Sequence, residues 1–201
     1  MNEYQCIVAS TEGLYKDKNS KFFSFAIPIF SIEDAKYNLK ICKEIHPKAN
    51  HHCYAYRMAL DPNQYRAVDA GEPSYTAGKP ILNVLDSKVL HNVIIIVARY
   101  FGGTLLGTSG LIHAYTQASE IALRTATFCT KKINVCYFVY VNYDVLTAFQ
   151  NQTKTLDLRI ISGDYEIENV ILKVEIARDF EATFKVILNK LAITFAYQYS
   201  Q

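Results

Sequence analysis

Apolar runs broken by polar ones predict strands at residues 4–8 and 22–30, separated by the polar stretch 10–20, which reads as a long hairpin loop. Ser31 has the character of a helix N-cap. Glu33 and Asp34 follow in the first turn, where negative charge favours the helix dipole, and Ala35, Leu39 and Cys42 recur on one face. That helix is expected to end near His46 and Pro47, with a further strand over 53–60. The run Val93-Ile94-Ile95-Ile96-Val97-Ala98 is apolar at every position, which predicts a short strand over 92–99 covered on both faces. A short helix is predicted over 80–86, with Pro80 at its start, and a long one over 111–127. On the long helix Leu111, Tyr115, Ala118, Ala122 and Thr125 form one stripe, and His113, Gln117, Glu120 and Arg124 form a polar one.

Beyond residue 132 the pattern becomes strand 133–141, helix 144–153, strands 159–167 and 170–177, helix 179–189 and strand 192–199, a βαββαβ order. The last helix places Phe180, Phe184, Ile187 and Leu191 on one face, with Asp179 as its cap, so it can cover an antiparallel sheet. The expectation is an α/β chain of the α+β kind with two domains, 1–130 and 133–201, the second ferredoxin-like. The strand 133–141 is partly apolar on both faces, so one face is left as a contact surface.

Two stretches are poor material for a core. Residues 68–80 are turn-rich and crowd hydroxyls and carboxylates together. Residues 100–110 hold half of the eight glycines and lead from the buried strand into the long helix. Strand, glycine loop and helix N-terminus in that order suggest a site between the two loops. Gly102, Gly103, Gly107 and Gly110 match neither the dinucleotide fingerprint nor a phosphate-binding Walker loop, so no nucleotide cofactor is implied. Free amides at Gly110, Leu111 and Ile112, with the helix dipole, offer a place for a phosphate or carboxylate.

The segments Gly71-Glu72-Pro73-Ser74, Thr76-Ala77-Gly78-Lys79-Pro80, Arg99-Tyr100-Phe101-Gly102-Gly103 and Leu106-Gly107 through Gly110-Leu111 to Ala114-Tyr115 resemble the signature of the YigZ/IMPACT family. The earlier segments Ser20-Lys21-Phe22 and His46-Pro47-Lys48-Ala49-Asn50-His51-His52-Cys53-Tyr54-Ala55 resemble it too. Three positions depart from the family pattern: Ala70 replaces a second Asp, Tyr75 a Gly, and Ser109 a common Gly. The resemblance implies an IMPACT-type first domain similar to domain IV of elongation factor G, a small second domain, and a role connected with translation. It also implies that eukaryotic members act through partner proteins.

Composition narrows the choice. No apolar run approaches the roughly 20 residues a membrane helix needs, and the first residues lack the character of a signal peptide, so a cytoplasmic location without membrane contact is expected. Cys6, Cys42, Cys53, Cys129 and Cys136 are scattered, with no C-x-x-C pair, and are expected to be reduced. His46, His51, His52, Cys53, Asp69 and Glu72 include metal-ligand types, but none has the i, i+4 spacing of a helical site, and no metal is expected. Residues 1–132 carry 15 Lys and Arg against 11 Asp and Glu, a net +4, whereas the remainder is net −2, so the first domain is the one suited to an anionic partner.

The binding residues expected are Lys21, His52, Asp69, Glu72, Ser74, Thr76, Lys79, Arg99, Tyr100, Gly102, Gly103, Gly107, Gly110 and His113. Their charges suit phosphates and the neighbouring rings of Tyr75, Tyr100 and Phe101 suit stacking. The reading is a non-catalytic regulatory protein associated with RNA, the ribosome or a regulatory protein. The alternative is a hydrolase or other small-substrate enzyme using a Ser or Thr of the glycine-loop cleft as nucleophile, although no nucleophile motif is present.

Overall fold

A computed structural model describes residues 2–59, 61 and 63–198. The chain divides into two compact units, the larger spanning Tyr4–Lys131 and the smaller comprising the chain beyond it together with the residues ahead of Tyr4. The larger unit contains β1 (Glu3–Ile7), β2 (Thr11–Asp17), β3 (Ser20–Pro28), α1 (Ile32–Ile45), β4 (His51–Arg57), β5 (Tyr65–Val68), α2 (Gly78–Ser87), β6 (Val93–Tyr100), α3 (Gly107–Leu123) and β7 (Phe128–Lys132).

Five strands form one antiparallel sheet in the order β2-β3-β6-β4-β5, so the wholly apolar β6 lies at its centre. Val93, Ile95 and Val97 pack with α2 and α3, while Ile94, Ile96 and Ala98 pack with Ala35 and Cys42 of α1. Two-sided cover is therefore the reason that β6 has no polar alternation. Ser31 caps α1 in a reciprocal box: its side chain accepts from the Asp34 amide, and Asp34 Oδ2 accepts from the Ser31 amide at 3.1 Å.

Residues 10–20 are not a long loop. Thr11–Asp17 is an edge strand, and Lys18 and Asn19, both at positive φ, form the tight turn into β3. Its polar residues face solvent along an edge, which hides the strand from a hydrophobicity pattern. A Cβ on Gly13 would stand 2.6 Å from Ile121 Cγ2 and 2.9 Å from the Ala122 amide, so β2 lies against α3 with no room for a side chain there. The strand expected over 53–60 is His51–Arg57, and Leu60 lies outside the described residues.

The smaller unit contains β8 (Asn134–Asn142), α4 (Tyr143–Thr153), β9 (Leu158–Tyr165), β10 (Asn169–Ala177), α5 (Glu181–Lys190) and β11 (Thr194–Gln198). Its sheet order, β11-β8-β10-β9, is antiparallel throughout and places the first and third strands of the βαββαβ chain at the centre. Val135, Tyr137, Val139 and Val141 of β8 form the core with Phe149 of α4 and Phe184 and Leu188 of α5. The opposite face of β8 carries Phe138, half-buried, and Tyr140, exposed. The last strand was expected to reach Tyr199, which lies outside the described residues.

Candidate functional site

The sheet register brings three side chains level at one end of the larger unit: Phe22 of β3 pairs with Arg99 of β6, which pairs on its other side with His51 of β4. Arg99 is the hub. Its Nη1 donates to Glu72 Oε1 at 2.6 Å, its Nη2 reaches Ser20 Oγ at 3.4 Å, and its guanidinium carbon lies 5.3 Å from the Phe22 ring centroid and 5.5 Å from that of Phe101. The Tyr115 hydroxyl of α3 donates to the same Glu72 oxygen at 2.7 Å. The Arg99 and Glu72 side chains are only 5% and 4% exposed, so the ion pair is a buried one that neutralises itself. Below it the Cys53 thiol sulfur lies 2.9 Å from the Asp69 carbonyl oxygen and 3.2 Å from the Tyr115 hydroxyl, and burial pushes that thiol up to about 12. Burial also raises the Tyr115 hydroxyl, with Cys53 and Glu72 adding to the effect.

The turn-rich loop is organised by one carboxylate. Asp69 Oδ1 accepts from the Ala77 and Gly78 amides and Oδ2 from the Tyr75 amide, each at 2.9 Å. Ala77, at the N-cap of α2, supplies no side-chain bond of its own, so Asp69 caps the helix from across the loop. The bonds also hold Tyr75 at φ 65 and sit beside Ala70 at φ 47, left-handed conformations that a side chain disfavours. Asp69→Ala is expected to lower stability by about 2 kcal/mol, because three amides lose a charged acceptor. Urea denaturation measures it, with Asp69→Asn, which keeps one acceptor oxygen, falling between.

Residues of both loops line one cleft of about 410 Å³. Glu72 and Pro73 come from the first loop, and Phe101, Leu105, Leu106, Gly107 and Thr108 from the second. Arg99, His51 and Asn50 also line it. His51 Nδ1 donates to the Ala70 carbonyl at 3.0 Å, which leaves Nε2 3.9 Å from Glu72 Oε1. The helix beyond the second loop starts at Gly107 rather than Leu111, with Leu106 at its N-cap. The first-turn amides without a helical acceptor are therefore those of Gly107, Thr108 and Ser109, and the amides expected at 110–112 are inside the helix.

Of the residues expected from sequence, Glu72, Arg99 and Gly107 line the cleft. His52 does not: it lies on the other face of β4, its Nε2 donates to the His46 carbonyl at 3.1 Å, and burial lowers its basicity. His51 takes its place. Tyr100 is likewise on the α1 face, with its hydroxyl 3.1 Å from His46 Nδ1. The Thr76 hydroxyl donates to the Pro73 carbonyl, Ser74 is exposed on the first loop, and Lys79 is exposed in the first turn of α2. Gly103 is exposed at φ 83 in a place where a Cβ meets nothing, and Gly110 is a helical position. His113 is on the solvent side of α3, edge-on to Tyr15.

Lys21 belongs to a separate feature. With Lys16, Asp17, Lys18, Asn19 and Ser20 it lines a shallow basic depression at the β2–β3 turn. The Gly102 amide donates to Ser20 Oγ at 3.2 Å, and a Cβ on Gly102 would stand 2.1 Å from the Asn19 carbonyl carbon, so the turn is locked against the cleft-forming loop. Among the described residues no cluster of three or more His, Cys, Asp or Glu side chains is placed to hold a metal, and no helix is long and apolar enough to cross a membrane.

A mixed α/β chain whose larger unit carries a cleft at the end of its central strand, beside a helix N-terminus, is the class these features define. The Impact N-terminal domain model matches residues 18–123. IMPACT family member YigZ of Escherichia coli (strain K12) is 35% identical over 151 residues, 74% of each chain. The Saccharomyces cerevisiae protein IMPACT homolog is 32% identical over 111 residues, 54% of this chain and 43% of that one. A crystal structure of a hypothetical protein superposes over the whole of both chains with a TM-score of 0.74 at 29% identity. The chain belongs to the IMPACT family.

Proposed function

We propose that the chain is a non-catalytic, cytoplasmic regulatory protein linked to translation, and that its larger unit binds RNA, free or on the ribosome. The observation that carries this reading is the locking of the basic β2–β3 turn against the cleft loop by Gly102. Lys16, Lys18 and Lys21 would meet phosphates, and the cleft, walled by Pro73, Phe101, Leu105 and Leu106, would accept an unstacked base. Arg99 is not a phosphate contact in this scheme, because Glu72 already balances its charge. Chemistry finds less support: among the described residues no Ser, Thr or Cys side chain bonds to a histidine, and the Cys53 thiol is buried and held up at about 12.

The test is filter binding of total RNA and of ribosomes at two salt concentrations. Phosphate contacts release counterions, so log affinity falls with log salt by about 0.7 per contact on single strands. Lys18→Ala/Lys21→Ala is expected to weaken low-salt binding about tenfold and to flatten that slope by about 1 to 2. Lys79→Ala is expected to act in the same direction, and Ser74→Ala to leave binding unchanged. No binding at low salt, or binding indifferent to salt and to the lysines, contradicts the reading.

A further inference from the structure

The first and last strands of the larger unit, β1 and β7, form a two-stranded sheet of their own. The Val8 amide donates to the Thr127 carbonyl at 2.9 Å and the Ile133 amide to the Asn2 carbonyl at 2.8 Å. These two bonds set an antiparallel register in which Cys6 stands directly opposite Cys129. Their sulfurs are 3.2 Å apart. Residues facing each other at a hydrogen-bonded position of an antiparallel ladder have Cα atoms about 5.5 Å apart, inside the range a disulfide spans without backbone movement.

We propose that Cys6 and Cys129 are a thiol-oxidation site, closing to a reversible disulfide that staples the strand by which the chain enters the larger unit to the strand by which it leaves. The two thiols are unequal in access. Cys6 is 2% exposed, whereas Cys129 is half-buried, so an oxidant meets Cys129 first. Burial, followed by the bond to Cys129, pushes the Cys6 thiol up to about 11, while Lys131 draws it down. Cys6 is thus the resolving sulfur rather than the attacking one. With a small disulfide such as oxidised glutathione, the Cys129 thiolate attacks one sulfur, breaking that disulfide and releasing one glutathione thiolate. Cys6 then loses its proton to solvent and its sulfur displaces the second glutathione from Cys129. Two protein thiols are oxidised and one oxidised glutathione is reduced to two thiols. The remaining cysteines lack such a partner: Cys42 and Cys53 sit in the cores on opposite faces of the sheet, and Cys136 lies on β8.

The bridge would close a loop around nearly the whole larger unit, and a cross-link over so long a segment restricts the unfolded chain strongly. The full chain is equilibrated in glutathione buffers from reducing to oxidising, free thiols are alkylated, and peptides are mapped. The expected result is the loss of two thiols in one step, a single intramolecular Cys6–Cys129 link, its reversal by reductant, and a higher urea midpoint in the oxidised form. Cys129→Ser is expected to lose both the link and the shift, and Cys136→Ser to keep both. Five free thiols throughout, a link between other cysteines, arrest as a glutathione adduct on Cys129, or a link with no rise in midpoint would each overturn the proposal. The wild-type mapping stands even if a cysteine variant folds poorly.

Discussion

Glu72→Ala is expected to destabilise the larger unit by about 3–5 kcal/mol, the range seen when one partner of a buried ion pair is removed. Two bonds end on one of its oxygens, from Arg99 Nη1 at 2.6 Å and from the Tyr115 hydroxyl at 2.7 Å. Removing the carboxylate leaves a guanidinium that is 5% exposed, between the Phe22 and Phe101 rings, with no counter-charge. Its Nε already has no hydrogen-bond partner, so little remains to stabilise the charge. The melting temperature should fall on the order of 10 °C. Replacing both partners by apolar residues, Glu72→Leu/Arg99→Met, is expected to cost far less than the two single changes together, because no orphaned charge remains. Additive losses, or a Glu72→Ala loss below about 1 kcal/mol, would show that the pair does not hold the loop to the sheet.

Gly102→Ala is expected to have the next largest effect. The added Cβ would stand 2.1 Å from the Asn19 carbonyl carbon and 2.3 Å from the Ser20 amide nitrogen, both backbone atoms that no side-chain rotation can move aside. The β2–β3 turn would have to separate from the loop, at a cost of about 3 kcal/mol or more. Gly103→Ala, one residue on, meets nothing within 4 Å and suffers only from its φ of 83, so it should cost about 1 kcal/mol. Thermal melts of the two variants separate the effects. Because the turn carries Lys18 and Lys21, Gly102→Ala should also weaken any RNA binding, whereas Gly103→Ala should not.

Much of this architecture was legible in the chain. The six-residue apolar run in β6 required cover on both faces, and α1 on one side with α2 and α3 on the other provide it. The glycine loop followed by a helix located one wall of the cleft, and the turn-rich loop located the other. The choice of histidine was not legible, because adjacent residues of a strand face opposite ways and only pairing with Arg99 puts His51 on the cleft side. Asp69 looked like a ligand-binding carboxylate because a helix cap supplied from eight or nine residues upstream has no local signature. The β2 strand was hidden by its polar edge, and the Cys6–Cys129 pair by the whole of the larger unit lying between the two residues.

On the proposed function, RNA would meet the larger unit along the β2–β3 turn and the mouth of the cleft. Amide chemical-shift mapping on the full chain, titrated with a short single-stranded RNA at low salt, reads that location residue by residue. The predicted result is a contiguous set of shifts at Lys18–Lys21 and at Gly107, Thr108 and Ser109, reversed by added salt, with the amides of β9 and β10 unmoved. Shifts confined to the smaller unit, or none at any RNA concentration, would contradict it.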